Sequence, residues 1–220
     1  ELIGTWAFGN CSSLKKLIIP DTVTDIGTAA IAWCGSLEEL KLPKNLKYIR
    51  EYLVECATNL KQIEIPDGVE FIAVSAFIEC SSLEDITIPG SVRGIHYSAF
   101  AECTSLKKVV IKDGVKAIYS HAFGNCTSLS EIVIPQGTTI YSLAFAGTKW
   151  LSEMQKKDPI VVVNSQIIDV SACEGDVIIP NTVNTIHSNT FSQMNNITSI
   201  TIPNSVKNID NYAFSSCKSL

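Results

Sequence analysis

The chain is poor in the residues and motifs that carry chemistry. Its 220 residues include 3 histidines and 2 methionines. There is no Gly-x-Ser-x-Gly elbow, no His-Glu-x-x-His pair, no phosphate-binding loop and no dinucleotide fingerprint. His96 and His187 occupy equivalent places at least one turn apart and His121 sits two places on, so no metal or catalytic cluster is expected from them. Nor is there an excess of positive charge. The formal net charge is -5, with 17 Lys and Arg against 22 Asp and Glu, which argues against a nucleic-acid backbone as partner. No run approaches the roughly 18 apolar residues that a membrane span needs, so no membrane insertion is expected in this segment. No Cys-x-x-Cys pair exists among the 8 cysteines, which removes the usual zinc and redox spacings. These absences point away from an enzyme and imply no cofactor.

What is present is repetition. The stretch from Ile3 through Trp6-Ala7-Phe8 and Cys11-Ser12-Ser13-Leu14 to Ile19-Pro20 recurs along the chain. Its copies begin at Ile3, Ile26, Ile49, Ile72, Ile95 and Ile118, each 23 residues after the last, then at Ile140, Ile186 and Ile209. A fixed period of about 20–29 residues is the signature of a leucine-rich repeat solenoid. In such a chain each turn contacts only its neighbours, so length becomes a count of turns.

Within a unit, Leu17 and Ile19 alternate with Lys16 and Ile18, the period of a strand, and Pro20 ends it by removing a donor. Equivalent strands centre on Leu40/Leu42, Ile63/Ile65, Ile86/Ile88, Val109/Ile111, Ile132/Ile134, Val162, Val177/Ile179 and Ile200/Ile202. Stacked, they predict one long parallel sheet of about nine short strands with right-handed crossovers. A short Val-x-x-Ile piece predicts a minor second strand on the opposite side. The Ala-Phe pairs at 7–8, 76–77, 99–100, 122–123, 144–145 and 213–214 predict a tight 3₁₀-like turn that buries a column of rings. Cysteines follow at 11, 34, 80, 103, 126 and 217, a slot that Ala57, Thr148 and Met194 also fill. Stacked side chains have parallel Cβ vectors, which suits no disulfide. Buried free thiols acting as small hydrophobes are expected.

The rhythm breaks over 148–180. Trp150–Lys157 reads as helix, Asp158-Pro159 as its end, and Ile160–Val163 and Gln166–Val170 as strands around Asn164-Ser165. This segment is an irregular repeat with a helical insertion, inside one solenoid spanning 1–220. The chain opens and closes in mid-repeat, so it reads as a fragment lacking both caps.

Taken together, these units resemble the BspA-like leucine-rich repeat family, whose unit reads roughly Cys-x-x-Leu-x-x-Ile-x-Ile-Pro-x-x-Val-x-x-Ile-Gly-x-x-Ala-Phe. Cys11–Ala30, Cys80–Phe100 and Cys103–Phe123 fit it, and Gly147–Pro180 matches the irregular unit of its bacterial members. The third unit departs, with Leu53-Val54 and Ala57, and Lys112 stands where Pro is expected. The resemblance implies a secreted or cell-surface bacterial protein, binding a protein or another host or bacterial macromolecule. A fold does not by itself fix a function.

The outward positions of the predicted sheet are the candidates for such binding. Lys15, Glu38, Lys61, Glu84 and Lys107 fall in one column; Lys16, Glu39, Gln62, Asp85, Lys108 and Glu131 fall beside it. Alternating signs suit simple cross-strand pairing. A third column changes from charged to apolar, and Val110, Val133, Val161 and Ile178 would form a strip there, rimmed by Lys107, Lys108, Glu131 and Asp176. Two readings stand: a docking surface for a macromolecule or a second copy of the chain, or plain strand propensity. At the level of function they become an adhesion-type interaction module and a spacer that holds another domain away from a surface.

Overall fold

The computed structural model describes all 220 residues. It is a solenoid of about nine turns with parallel pairing between turns and one short helix. Three sides can be distinguished in a regular turn. The front carries the strands Lys16–Ile18, Glu39–Lys41, Asp85–Ile88, Lys108–Ile111, Glu131–Val133, Gly175–Ile178 and Ile197–Thr201. Two-residue strands on the back, such as Tyr48–Ile49, Phe71–Ile72, Gly94–Ile95 and Ala117–Ile118, pair parallel and in register. Between back and front runs an arc that contains the Ala-Phe pair.

The arc is not a 3₁₀ helix. Bonds of the i→i−3 type do occur, as from Ala76 N–H to Ala73 O at 3.3 Å and Ile78 N–H to Ser75 O at 3.2 Å. The amides between them leave the turn and bond to the next one: Ser75 to Tyr97, Phe77 to Ala99 and Glu79 to Ala101, at 2.8 to 3.0 Å. Two left-handed residues per turn make this alternation. Trp6, Ala29, Tyr52, Ser75, Ser98, His121 and Leu143 fill the first place, and Asn10, Trp33, Cys56, Glu79, Glu102 and Asn125 the second, all with φ between 53° and 65°. The result is a third ladder along the stack.

Under the arc the rings form the expected column. Phe77, Phe100, Phe123 and Phe145 are stacked at 5.0, 5.3 and 5.5 Å with planes within 6° of parallel, and Trp150 meets Phe145 edge-on at 5.1 Å. The slot cysteines do more than fill space. The thiols of Cys34, Cys80, Cys103, Cys126 and Cys217 donate to the carbonyls of Phe8, Val54, Phe77, Phe100 and Phe191, at 2.9 to 3.2 Å. Each ties its turn to the one before it.

The front is not one sheet of nine strands. It is three ladders: Lys16–Ile18 with Glu39–Lys41; Asp85–Ile88, Lys108–Ile111 and Glu131–Val133; and Gly175–Ile178 with Ile197–Thr201. The first break falls at the third unit. Ile63 and Ile65 stay buried, yet residues 62–65 pair with neither neighbour. Glu38, Glu39, Glu64 and Asp85 share a cleft there with Gln62, and like charges on neighbouring strands oppose pairing.

The second break is the irregular turn. Thr148 caps the helix Lys149–Gln155, accepting from Leu151 N–H at 3.1 Å. Val161–Val163 then pairs antiparallel with Gln166–Asp169, not parallel with the front strands. Asn164 and Ser165, with φ of 50° and 62°, make the connection, the two-residue turn that favours a hairpin. The buried core divides at this point. Val161 packs with the first 45 buried residues and Ile160 with the last 11.

Thiol chemistry follows from this packing. Cys34, Cys56, Cys80, Cys103, Cys126 and Cys173 are buried, Cys217 half-buried and Cys11 exposed. Burial, with the Glu79 carboxylate 3.3 Å away, pushes the Cys56 thiol up to about 12. Burial and Asp169 push Cys173 up to about 11, and burial also raises Cys103. Alkylation of the folded protein at mildly basic pH is therefore expected at Cys11 first and Cys217 next, because the thiolate is the reactive form. All 8 thiols should titrate once the chain is denatured without reductant. Finding most of them oxidised, or Cys103 as reactive as Cys11, would contradict this.

Candidate functional site

On the front, Val110 and Val133 lie directly opposite each other on paired strands. Val110 is half-buried, while Val133 is 54% exposed and Ile178 71%. Exposed β-branched residues are ordinary on strands, but Ile178 presents most of an isoleucine side chain to water, at a cost that burial in a contact would recover.

Val161 does not complete the strip. It is 2% exposed, because the hairpin pairs it with Asp169 and places it against the first core. The predicted strip is thus two apolar islands, Val110 with Val133 and Ile178 apart, separated by the insertion. Beside the hairpin, Met154, Ile160, Val161, Val162 and Pro180 contribute to a cleft of about 300 Å³.

The rim is charged and mostly paired. Lys107 meets Glu84 at 3.1 Å and Lys108 meets Glu131 at 3.3 Å, with all four side chains well exposed. Toward the N-terminus the same columns hold Lys15 with Glu38 and Lys16 with Glu39. Pairs this exposed are worth about 0–1 kcal/mol each, so they fix local charge pattern more than stability. Asp176 faces the next strand, its Oδ1 accepting from Ser199 at 2.6 Å and Thr198 at 3.2 Å.

On the back, His96 and His187 belong to a larger feature. Tyr48, Phe71, His96, Tyr119, Tyr141 and His187 form one run of rings, with neighbouring centroids 4.8 to 6.0 Å apart. His187 also meets Asp210 and Gln166, each at 3.2 Å. The signal was in the sequence, as an aromatic or His directly before or after the repeat Ile. In the Tyr48–Phe71 and His96–Tyr119–Tyr141 runs the rings stack face to face, so these rings splint the back and offer no open platform.

The sequence matches the BspA type leucine rich repeat region in six copies, over residues 1–107, 52–172 and 95–220. The chain belongs to this family of leucine-rich repeat proteins; repeats of this kind are typically non-enzymatic and generally mediate protein interactions. Among solved structures it is similar to a Treponema pallidum leucine-rich repeat protein, with 28% identity, 71% of this chain and 75% of that chain covered, and a TM-score of 0.64. It is also similar in fold to a leucine-rich repeat protein of Bacteroides ovatus, with 23% identity over 99% of this chain and 68% of that one, at a TM-score of 0.58. No curated protein sequence matches.

Proposed function

We propose that this chain is an interaction module of a secreted or cell-surface protein, adhesion-type in use, which binds a macromolecular partner through its front. The occupant is a protein or another host or bacterial macromolecule, and a second copy of the chain is within the same chemistry. The observation that carries the reading is the exposure of two apolar islands on the front, Val133 rimmed by Lys107, Lys108 and Glu131, and Ile178 beside Asp176. An apolar centre with a polar rim is the common build of a protein interface. Membership of the BspA-type family supports the location. No helix is long and apolar enough to cross a membrane, and the acidic balance suits a nucleic acid poorly. The regular charge ladders suit this reading and the rival one of a spacer equally; the exposed Val133 and Ile178 favour the interaction module.

Replacing Val133 and Ile178 together by Lys tests this. Both side chains point outward, so the melting temperature should stay within a few degrees of the parent's. Affinity for a partner should fall at least about 30-fold, the fold-change of a hot-spot loss, because a charge would be buried at each apolar island of the contact. Unchanged affinity in a folded double variant would reduce the islands to strand propensity.

A further inference from the structure

The irregular turn builds a second concavity, lined by the helix residues Ser152 and Gln155 together with the arc and the hairpin. It holds about 450 Å³, and its lining includes Thr127, Leu143, Ser152, Gln155, Asp169 and Ser171. Asp169 is 3% exposed, and no Lys, Arg or His lies within ion-pairing distance of it. A buried carboxylate is costly unless its charge is compensated. Here the compensation is one-sided. Oδ2 accepts from Gln155 Nε2 at 2.8 Å, from Ser171 Oγ at 2.9 Å and from Ser171 N–H at 3.1 Å. Oδ1 accepts nothing within the chain, and it is not among the sealed, unsatisfied atoms, which are Ser91 Oγ and Ser205 Oγ.

The accounting of the other polar groups leans the same way. Gln155 uses its amide N–H groups on Asp169 and Ser171 and keeps Oε1 unbonded. Ser152 donates its hydroxyl to Lys149 O and keeps its lone pairs. Asp169 Oδ1, Gln155 Oε1 and Ser152 Oγ are therefore unspent acceptors around one cleft, which calls for a ligand rich in donors. Leu143, 39% exposed, and Ala146 give the same cleft an apolar wall.

We infer that this cleft binds an aliphatic primary ammonium, its three N–H donors directed at the acceptors and its methylene chain laid along Leu143 and Ala146. Charge-assisted hydrogen bonds to a carboxylate are the strong ones, and a long alkyl stem with a charged head matches a wall that is apolar beside a floor that is not. Lys149 also lines the cleft. Its side chain reaches solvent, and its charge opposes the ligand, so it lowers the affinity without filling the site. Such an ammonium exists as the lysine side chain of a docking protein and as a free diamine. The site is separate from the front islands, so its failure would leave the proposed interface untouched.

The experiment is an amide NMR titration with N-acetyl-lysine amide and with cadaverine, using N-acetyl-norleucine amide as the neutral match and glucose as a polyol control. Saturable shifts are expected at Ser152, Gln155, Asp169 and Ser171 with the two amines and with neither control. The tighter of the two amines identifies the source. Asp169→Asn should weaken binding at least tenfold, and Lys149→Ala should tighten it about threefold. If Asp169→Asn does not fold, Gln155→Lys serves instead, since its tethered ammonium should occupy the cleft and block both probes. Equal shifts from the norleucine amide, shifts from glucose alone, or no loss in either blocking variant would overturn the assignment.

Discussion

Phe100→Ala is expected to cost about 3–5 kcal/mol of stability, the range for truncating a buried aromatic. Phe100 is fully buried and stacked on both faces, by Phe77 at 5.0 Å and Phe123 at 5.3 Å. Its removal leaves a void that neither neighbour can fill, because each is held in turn by a further ring or by the arc ladder. Phe100 also accepts the Cys126 thiol and donates its N–H to Ala122 O at 2.8 Å, bonds that Ala can keep. The loss is therefore one of packing and should be local at first, since a solenoid turn is supported by its neighbours alone. Hydrogen exchange should show lost protection over residues 95–126 before the rest. Uniform loss along the chain, or none near Phe100, would contradict this.

Gly114→Ala should cost about 2–6 kcal/mol, for a different reason. Gly114 has φ +113°, and a Cβ there would lie 2.3 Å from Gly90 O. The contact is reciprocal, because a Cβ on Gly90 would lie 2.0 Å from Asp113 O. Two backbone turns interlock, and no rotamer can relieve a collision with main-chain atoms. Strained backbone accounts for roughly 1–3 kcal/mol and overpacking for about as much again. One turn further on, Gly137 has φ +80° and nothing within 4 Å of its Cβ position. Gly137→Ala then carries only the left-handed penalty of about 1–2 kcal/mol. Thermal denaturation of the two variants separates the causes: equal losses would mean that the interlock contributes nothing.

The regular turns were legible in the sequence because their signals are redundant. Phe, Cys, Leu and Ile recur at one period, and most of them are buried in the core. The helix at Lys149–Gln155 was legible too, from its polar run and the Asp158-Pro159 stop. Lys112, the departure from Pro, explains itself in the structure: its N–H adds a rung to Ile88 O at 3.0 Å.

What stayed hidden was set by backbone geometry that residue type does not announce. Trp6, Tyr52 and Leu143 adopt left-handed φ with no glycine or asparagine to mark it. The Asn164-Ser165 turn lacks the glycine that usually signals a hairpin, so Val161 read as one more outward valine of a parallel strand. Its reversal moved it into the core and split the candidate strip. Asp169 fell inside the expected strand Gln166–Val170 with nothing to mark it. Ser171 bonds it locally, but the helix residue Gln155 reaches it from another segment, a contact that no local pattern encodes. The break at residues 62–65 rests on carboxylates from three turns meeting, which pairwise inspection of each column did not reveal.

The most direct test of the front as binding surface is side-chain footprinting by hydroxyl radicals with and without a bound partner. Val133 and Ile178, exposed in the free chain, should lose most of their labelling on binding. Tyr48 on the back, itself 47% exposed, should label as before. Protection of Tyr48 with Val133 and Ile178 unchanged would contradict the account and move the interface to the back.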